Sequence, residues 1–426
     1  MPNEYTEGEF NNTPLRKIWQ EQHVAPVSQV TLAEDEKYFL HQSLSTPCLT
    51  EIIGSYGPYI TDASGKHYLD FHGNSLHQIG YSHPKVIQAI KAQLDELSFC
   101  PRRFTNKPSV ELARRLSSLA PGNLNRILFS PGGTSAVGMS MKLARYATGK
   151  YKTISMWGTF HGASLDAISI GGEDLFRDDL GPLLPGTFHV PWPQKKSDAD
   201  NIEKILKEEK DIGAIITEPM RCTTIERPEN EYWHRIRELC DQYNSLLIFD
   251  EIPLAFGRTG KMFCCEHSGV TPDILVIGKG LGGGVIPMSA IIAREDLNVV
   301  PTKALGHYTH EKSPVGAASA LAMLDVVESE NLIERSRLLG DETKSKMQEL
   351  FCKSPIVREV RGLGLAMAIE LATAQSAEQV MYDCLSKGLS FKVSNGNILT
   401  LTPPLNITDE EMARAISILK NAIQNI

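Results

Sequence analysis

Four residue types, each at the end of an apolar run, carry the chemistry legible in this chain. Lys279 follows the run Ile274 to Ile277 and stands in a glycine-rich turn, Gly278-Lys279-Gly280-Leu281-Gly282-Gly283-Gly284. Lysine is seldom buried without a partner. A lone lysine at a strand's end, among glycines that open backbone space, is placed to use its amine. The chemistry open to such an amine is a Schiff base with a carbonyl cofactor; an ordinary loop lysine fits the stretch equally well. Asp250 follows Leu-Leu-Ile-Phe. A ring nitrogen that must stay protonated needs such a carboxylate, because the charged ring is the electron sink; a helix cap or loop acid is the alternative. The two residues lie 29 apart, each ending its own strand, which suits one strand–helix–strand step and makes the pair more specific than either member. Pro131-Gly132-Gly133-Thr134 opens a helix after a strand. Its free N–H groups, positive dipole end and hydroxyl make a phosphate site, although most Gly-Gly-Thr turns bind nothing. Phe160-His161-Gly162, after the next strand, offers an aromatic face to a flat ring, or is a core aromatic.

Such residues need a scaffold that brings strand ends together. The pattern predicts helix 110–119, strand 126–130, helix 137–147, strand 152–157, strand 214–217, helix 233–243 and strand 246–249, then strands 274–277 and 288–293. Strands alternating with helices imply an α/β fold, a mostly parallel sheet covered on both faces. In such sheets ligands bind at the carboxyl edge. Before this region, residues 51–71 read as a hairpin broken by Gly57-Pro58 and Asp62 to Gly65, and Pro84 starts an amphipathic helix. After residue 310 come β-rich stretches near 357–370 and 398–402, and an acid-capped helix from Thr408. We expect an N-terminal arm and part of a small domain over 1–75, a large domain over 76–310, and the rest of the small α+β domain over 311–426.

A chain of 426 residues, 42% hydrophobic and 22% charged, can build both a sizeable core and a solvated surface. The net charge of -8 excludes nucleic acid and acidic membrane as the expected partners, while leaving room for a local basic pocket. Eight scattered cysteines, with only Cys264-Cys265 adjacent, lack zinc or redox spacing, so reduced thiols and no metal are expected. Residues 1–7 are polar and acidic, unlike a signal peptide. No run approaches the roughly 18 apolar residues of a membrane span. The expected location is the cytoplasm.

Taken together, the anion cradle, stacking aromatic, ring-nitrogen acid and lysine resemble the pyridoxal-phosphate enzymes of fold type I. More narrowly, they resemble the class III (ω-) aminotransferase family. Asp250-Glu251-Ile252, Phe256-Gly257-Arg258-Thr259-Gly260, Pro272-Asp273 and Gly278-Lys279-Gly280 reproduce its central signature. The stretch from Phe71 through Gly80 to Ser82-His83-Pro84, Lys142 to Arg145, and Val360-Arg361-Gly362 also match. The resemblance implies a large domain with a seven-stranded type of sheet and pyridoxal 5'-phosphate as cofactor. Lys279 would hold that cofactor covalently and shuttle protons. Asp250 would pair with the ring nitrogen, Ile252 would pack under the ring opposite Phe160, and Gly133 and Thr134 would bind the phosphate. Glu218 would lie near the cofactor's polar edge. Thr309 would reach the phosphate of a neighbouring subunit, so a homodimer with a shared site is expected.

The departures bear on the substrate. Pro253 stands where the family has glutamine, and Glu218-Pro219 continues as Met220-Arg221-Cys222-Thr223-Thr224-Ile225 instead of glutamine and glycines. Ser135 and Gly138 replace usual glutamates. Arg102, Arg103, Arg221 and Arg361 are candidate substrate-binding residues, since a guanidinium suits a carboxylate or phosphonate. The expected substrate is a small anionic amine, a phosphonate foremost. With its departures, the chain also resembles ammonia-lyases of phosphonate breakdown built on this fold. Transamination and phospho-lyase action on a phosphorylated amino alcohol are the alternatives, because the motifs are common to all three.

Overall fold

The computed structural model describes residues 12–426; the polar heptapeptide 1–7 lies outside them. Its centre is a seven-stranded sheet in the order Leu124–Ser130, Ser289–Arg294, Ile274–Ile277, Leu246–Asp250, Ile212–Thr217, Lys152–Met156, Thr187–Val190. Four of the six pairings are parallel; Ser289–Arg294 runs antiparallel to both of its neighbours. The central strands are apolar throughout because helices cover both faces. Successive side chains alternate sides. Ile216, Ile248, Val276 and Ile291 pack with the helix Gly133–Thr148, while Ile215, Leu247, Phe249 and Leu275 meet Trp233 and Ile236 of the helix Asn230–Tyr243.

One expectation is corrected. No α-helix joins Leu246–Asp250 to Ile274–Ile277, although the strands are parallel neighbours with Asp250 opposite Val276. The connection is a chain of turns with one short 3-10 helix, Cys264–His267. Gly257, Gly260 and Gly269 take positive φ there, which breaks any helix. Buried groups hold this link in place. Glu251 accepts the N–H groups of Cys264 and Cys265, and the fully buried Arg258 donates to the carbonyls of Leu365 and Pro403. The helix expected from residue 137 begins a turn earlier, at Gly133. The edge strand Thr187–Val190 and the helix Ala199–Glu208 had no distinct signal.

Two four-stranded sheets flank the large one. In the first, the N-terminal strands Ile52–Tyr56, Tyr59–Asp62 and His67–Asp70 are completed by Leu389–Ser390, parallel to His67–Asp70. In the second, Val357–Leu363, Ala366–Leu371, Ile398–Leu401 and Lys392–Ser394 lie side by side. Lys392–Ser394 and Ile398–Leu401 are joined by a three-residue turn, 395–397, in which Asn395 and Gly396 both have positive φ. The helix Pro314–Ser329 packs on Pro84–Glu96 and Lys107–Leu119, so the first element after residue 310 rides on the helices of the large sheet. The described cysteines are all free, and five of the eight are buried. Among the described residues no helix is long and apolar enough to cross a membrane.

Candidate active site

Lys279 begins the short turn after Ile274–Ile277 with φ 45, a left-handed conformation that is strained for a residue with a side chain. The residue before it, Gly278, stands in a tight place. A Cβ on Gly278 would lie 2.3 Å from Ser289 Oγ, on the neighbouring strand. Two strands thus pinch the backbone at the point where the amine is delivered. One strand away, Asp250 is buried and held at both oxygens. His161 Nδ1 lies 2.8 Å from Oδ2, and the Ile252 N–H donates to Oδ1 at 3.1 Å. A buried carboxylate without such partners would be strongly disfavoured. His161 Nε2 is also buried, and it has no partner.

These groups face a cavity of about 390 Å³ lined by Gly133, Thr134, Phe160, Asp250, Ile252 and Lys279. At its other end the helix Gly133–Thr148 presents its N-terminus. The N-cap is Gly132 and no side chain caps it, so the first-turn N–H groups are available to an anion. Gly133 packs closely on Ile252: a Cβ there would lie 2.7 Å from Ile252 Cδ1, so that side chain would have to shift. Phe160 is partly exposed at the wall and rests on Phe176, ring centres 4.8 Å apart, so it is not a core aromatic. The residues fit pyridoxal phosphate: uncapped N–H groups for the phosphate, apolar surfaces for the ring, a fixed carboxylate for the ring nitrogen and an amine for the aldehyde.

A second, larger chamber of about 1490 Å³ shares Asn74, Phe160, Cys222 and Lys279 with the first. The lysine therefore stands at a junction. Arg221 is a buried wall of the larger chamber, 3.3 Å from Glu226 and with its guanidinium over the Trp192 ring at 5.6 Å. Gly158 makes room for it, because a Cβ there would lie 2.6 Å from Arg221 Nη2. Glu218 lines neither cavity. It sits buried beneath Cys222, whose N–H it accepts at 2.9 Å, and burial pushes its carboxyl up. Burial likewise holds His72, which also lines the larger chamber, down at about 4, so its ring is neutral.

The remaining candidates lie apart. Arg361 lines neither cavity; it donates to the Thr224 carbonyl at 2.8 Å and pairs with Glu359 and Glu370 at 2.7 and 2.8 Å. Arg102 pairs with His307 at 2.6 and 2.7 Å, while Arg103 and Thr309 are exposed, and none of the three lines either cavity. Four residues with a place in the site carried no assigned role in the sequence: His161, Asn74, Glu173 and Lys392. Only His161 had a signal, its position in the Phe160-His161-Gly162 turn.

Comparison with known proteins agrees with this geometry. The family model described as aminotransferase class-III matches residues 42–423. The chain is 43% identical to (R)-1-hydroxy-2-aminoethylphosphonate ammonia-lyase of Vibrio splendidus, over 99% of this chain and 95% of the relative. It is 34% identical to the acetylornithine aminotransferase of Methanopyrus kandleri, over 91% and 97%. Among solved structures, a transaminase from the marine bacterium Virgibacillus superposes with a TM-score of 0.89 at 26% identity, covering 93% of this chain and 99% of that one. An amine transaminase from an uncultivated Pseudomonas species, in its PLP-bound form, gives a TM-score of 0.85 at 29% identity, covering 92% and 99%. With PLP fold type I and a match across nearly its whole length, the chain belongs to the class III aminotransferase family.

Proposed function

We propose that the protein is a pyridoxal 5'-phosphate-dependent ammonia-lyase that converts (R)-1-hydroxy-2-aminoethylphosphonate to phosphonoacetaldehyde and ammonia. The observation that carries this reading is the whole-length similarity to an ammonia-lyase of that name, stronger than to the aminotransferases. Arg221, buried in the chamber that opens from Lys279, supports it, since it offers a cation to the phosphonate end.

When bound, the cofactor supplies an electron sink for negative charge on the carbon beside the substrate nitrogen. Asp250, clamped by His161 and the Ile252 N–H, keeps a proton on the ring nitrogen. Gly133 and Thr134 would hold the phosphate at the helix N-terminus, and Ile252 and Phe160 would offer apolar surface to the ring. Lys279 would hold the aldehyde and, as the amine base at the junction of the two cavities, would take a proton from the substrate carbon bearing nitrogen. The carbon–oxygen bond on the adjacent carbon then breaks and the hydroxyl departs as water. Water adds back at the nitrogen-bearing carbon as ammonia leaves, so the reaction uses no keto acid and no net water.

Further expectations join this reading. Arg361 acts through the Thr224 carbonyl, steadying the turn that carries Arg221, and Glu218 does the same from beneath Cys222. Thr309, with Arg102 and Arg103 near the exposed turn 306–311, serves the phosphate site of a second copy in a homodimer. The protein works in the cytoplasm, where its free thiols stay reduced.

The test is incubation of the PLP-loaded protein with the hydroxylated aminophosphonate and no keto acid. Ammonia and aldehyde released over many turnovers support the lyase. A single half-turnover, ending with the cofactor in its amine form, would establish an aminotransferase instead.

A further inference from the structure

The larger chamber contains a cation to which the reaction above gives no task. Lys392 opens the strand Lys392–Ser394 and lines the chamber together with Lys279 and Arg221. Val393 is buried, while Lys392 is half-buried and faces the cavity. Among the described residues its ammonium makes no ion pair and no side-chain hydrogen bond. Its field nevertheless reaches His72, Glu173 and Cys222, three residues from separate segments of the chain. Arg221 acts on Glu173 as well, and it lines the same chamber.

The charges there do not balance. Glu173 is an acid of the chamber wall that feels both cations, yet among the described residues it forms no ion pair with either, and burial pushes its carboxyl up toward the neutral form. Arg221 has one carboxylate, Glu226, which also accepts the Thr224 hydroxyl at 2.6 Å. Arg221 Nε is buried without a partner. The other wall acids, Asp174 and Asp178, are exposed to solvent, so two cations in the partly dehydrated part of the cavity are unfavourable until an anion enters. A phosphonate dianion answers both, offering three oxygens to a planar guanidinium fork and a compact ammonium. A carboxylate monoanion would leave one cation unmatched.

We propose that Lys392 and Arg221 together clamp the substrate's phosphonate, with Lys392 supplying the second positive charge that selects a dianion over a monoanion. The inference rests on the reading of the substrate as an aminophosphonate. It also concerns a property, dianion binding, that does not need turnover.

Methylphosphonate and methanesulfonate, a dianion and a monoanion of similar shape, are titrated calorimetrically into the PLP-loaded protein at a pH where methylphosphonate is fully ionised. The wild type should bind methylphosphonate at least about tenfold more tightly than methanesulfonate. Lys392→Met should lose about tenfold or more on methylphosphonate, a change of ~1.4 kcal/mol, and much less on methanesulfonate. Lys392→Arg should restore the preference. Cofactor absorbance and melting temperature identify a misfolded variant, in which case Lys392→Gln replaces the methionine variant. Unchanged methylphosphonate binding in a folded, uncharged variant would overturn the proposal. Equal binding of the two anions by the wild type would also overturn it. If the dianion preference depends on Lys392 but no ammonia is released from the hydroxylated aminophosphonate, the clamp stands and the lyase reading fails. If ammonia is released but Lys392→Met binds methylphosphonate as the wild type does, the clamp alone fails.

Discussion

Replacing His161 with leucine removes one of the two hydrogen bonds that hold the Asp250 carboxylate. The His161–Asp250 contact is 2.8 Å and both side chains are buried, so the leucine variant leaves that oxygen without a protein partner. A hydrogen bond to a charged group contributes about 1.5–3 kcal/mol. At ~1.4 kcal/mol per factor of ten, full transmission to the ring nitrogen weakens pyridoxal phosphate binding roughly 10- to 150-fold. Part of that effect is lost if the Ile252 N–H, 3.1 Å from the other oxygen, still orients the group, which makes the lower end the expected result. His161→Asn is the matched control, because its side-chain N–H can stand near the position of Nδ1 and should retain most of the affinity. Both variants are titrated with pyridoxal phosphate after removal of the resident cofactor, following protein fluorescence, with melting of the cofactor-free proteins in parallel. A packing role alone would lower melting in both and leave their affinities alike. Wild-type affinity in the leucine variant would refute the argument that His161 positions Asp250.

Three further outcomes follow from particular contacts. At φ 45 an alanine carries the left-handed penalty and a glycine does not; cofactor-free Lys279→Gly should therefore be about 1 kcal/mol more stable in urea than Lys279→Ala, while both lack turnover. Gly172→Ala would place a Cβ 2.3 Å from the Met156 carbonyl oxygen and 2.6 Å from Trp157 Cα, both rigid backbone. Urea titration should show a loss of about 1–3 kcal/mol. Glu251 is lifted by burial from 4.5 to about 7, moderated by the two N–H groups it accepts. Because its folded value lies above the unfolded one, its contribution is fully present below pH 4.5 and is lost as pH rises through about 7. That loss is about 3 kcal/mol, so the stability of Glu251→Gln relative to the wild type should rise across this window. A parallel pair of stability–pH curves would show that Glu251 does not titrate there.

Much of the site was readable because a parallel sheet makes simple demands. Ile274–Ile277 is found where the continuous apolar run puts it, since a strand buried on both faces needs no polar alternation. Lys279, Asp250, Gly133 and Phe160 meet because each ends or follows a strand of that sheet, and such ends share one edge. What could not be read depends on contacts between distant segments. The turn-rich link from Asp250 to Ile274 is held by Arg258 reaching residues more than 100 positions away, which no local pattern announces. The register of Val357–Leu363 against Ala366–Leu371 sets Glu359 opposite Glu370, and Arg361 is taken up between them. Lys392 sits in a short strand with no motif, and only folding brings it to the chamber that Arg221 also lines.

The most direct test of the central claim is the identity of the product formed from (R)-1-hydroxy-2-aminoethylphosphonate in deuterium oxide, read by phosphorus NMR and mass spectrometry at early times. Elimination predicts phosphonoacetaldehyde that has lost the hydroxyl and gained solvent deuterium on the carbon bonded to phosphorus. A product that keeps the hydroxyl on that carbon, formed in an amount equal to the enzyme, would contradict the lyase account and establish transamination.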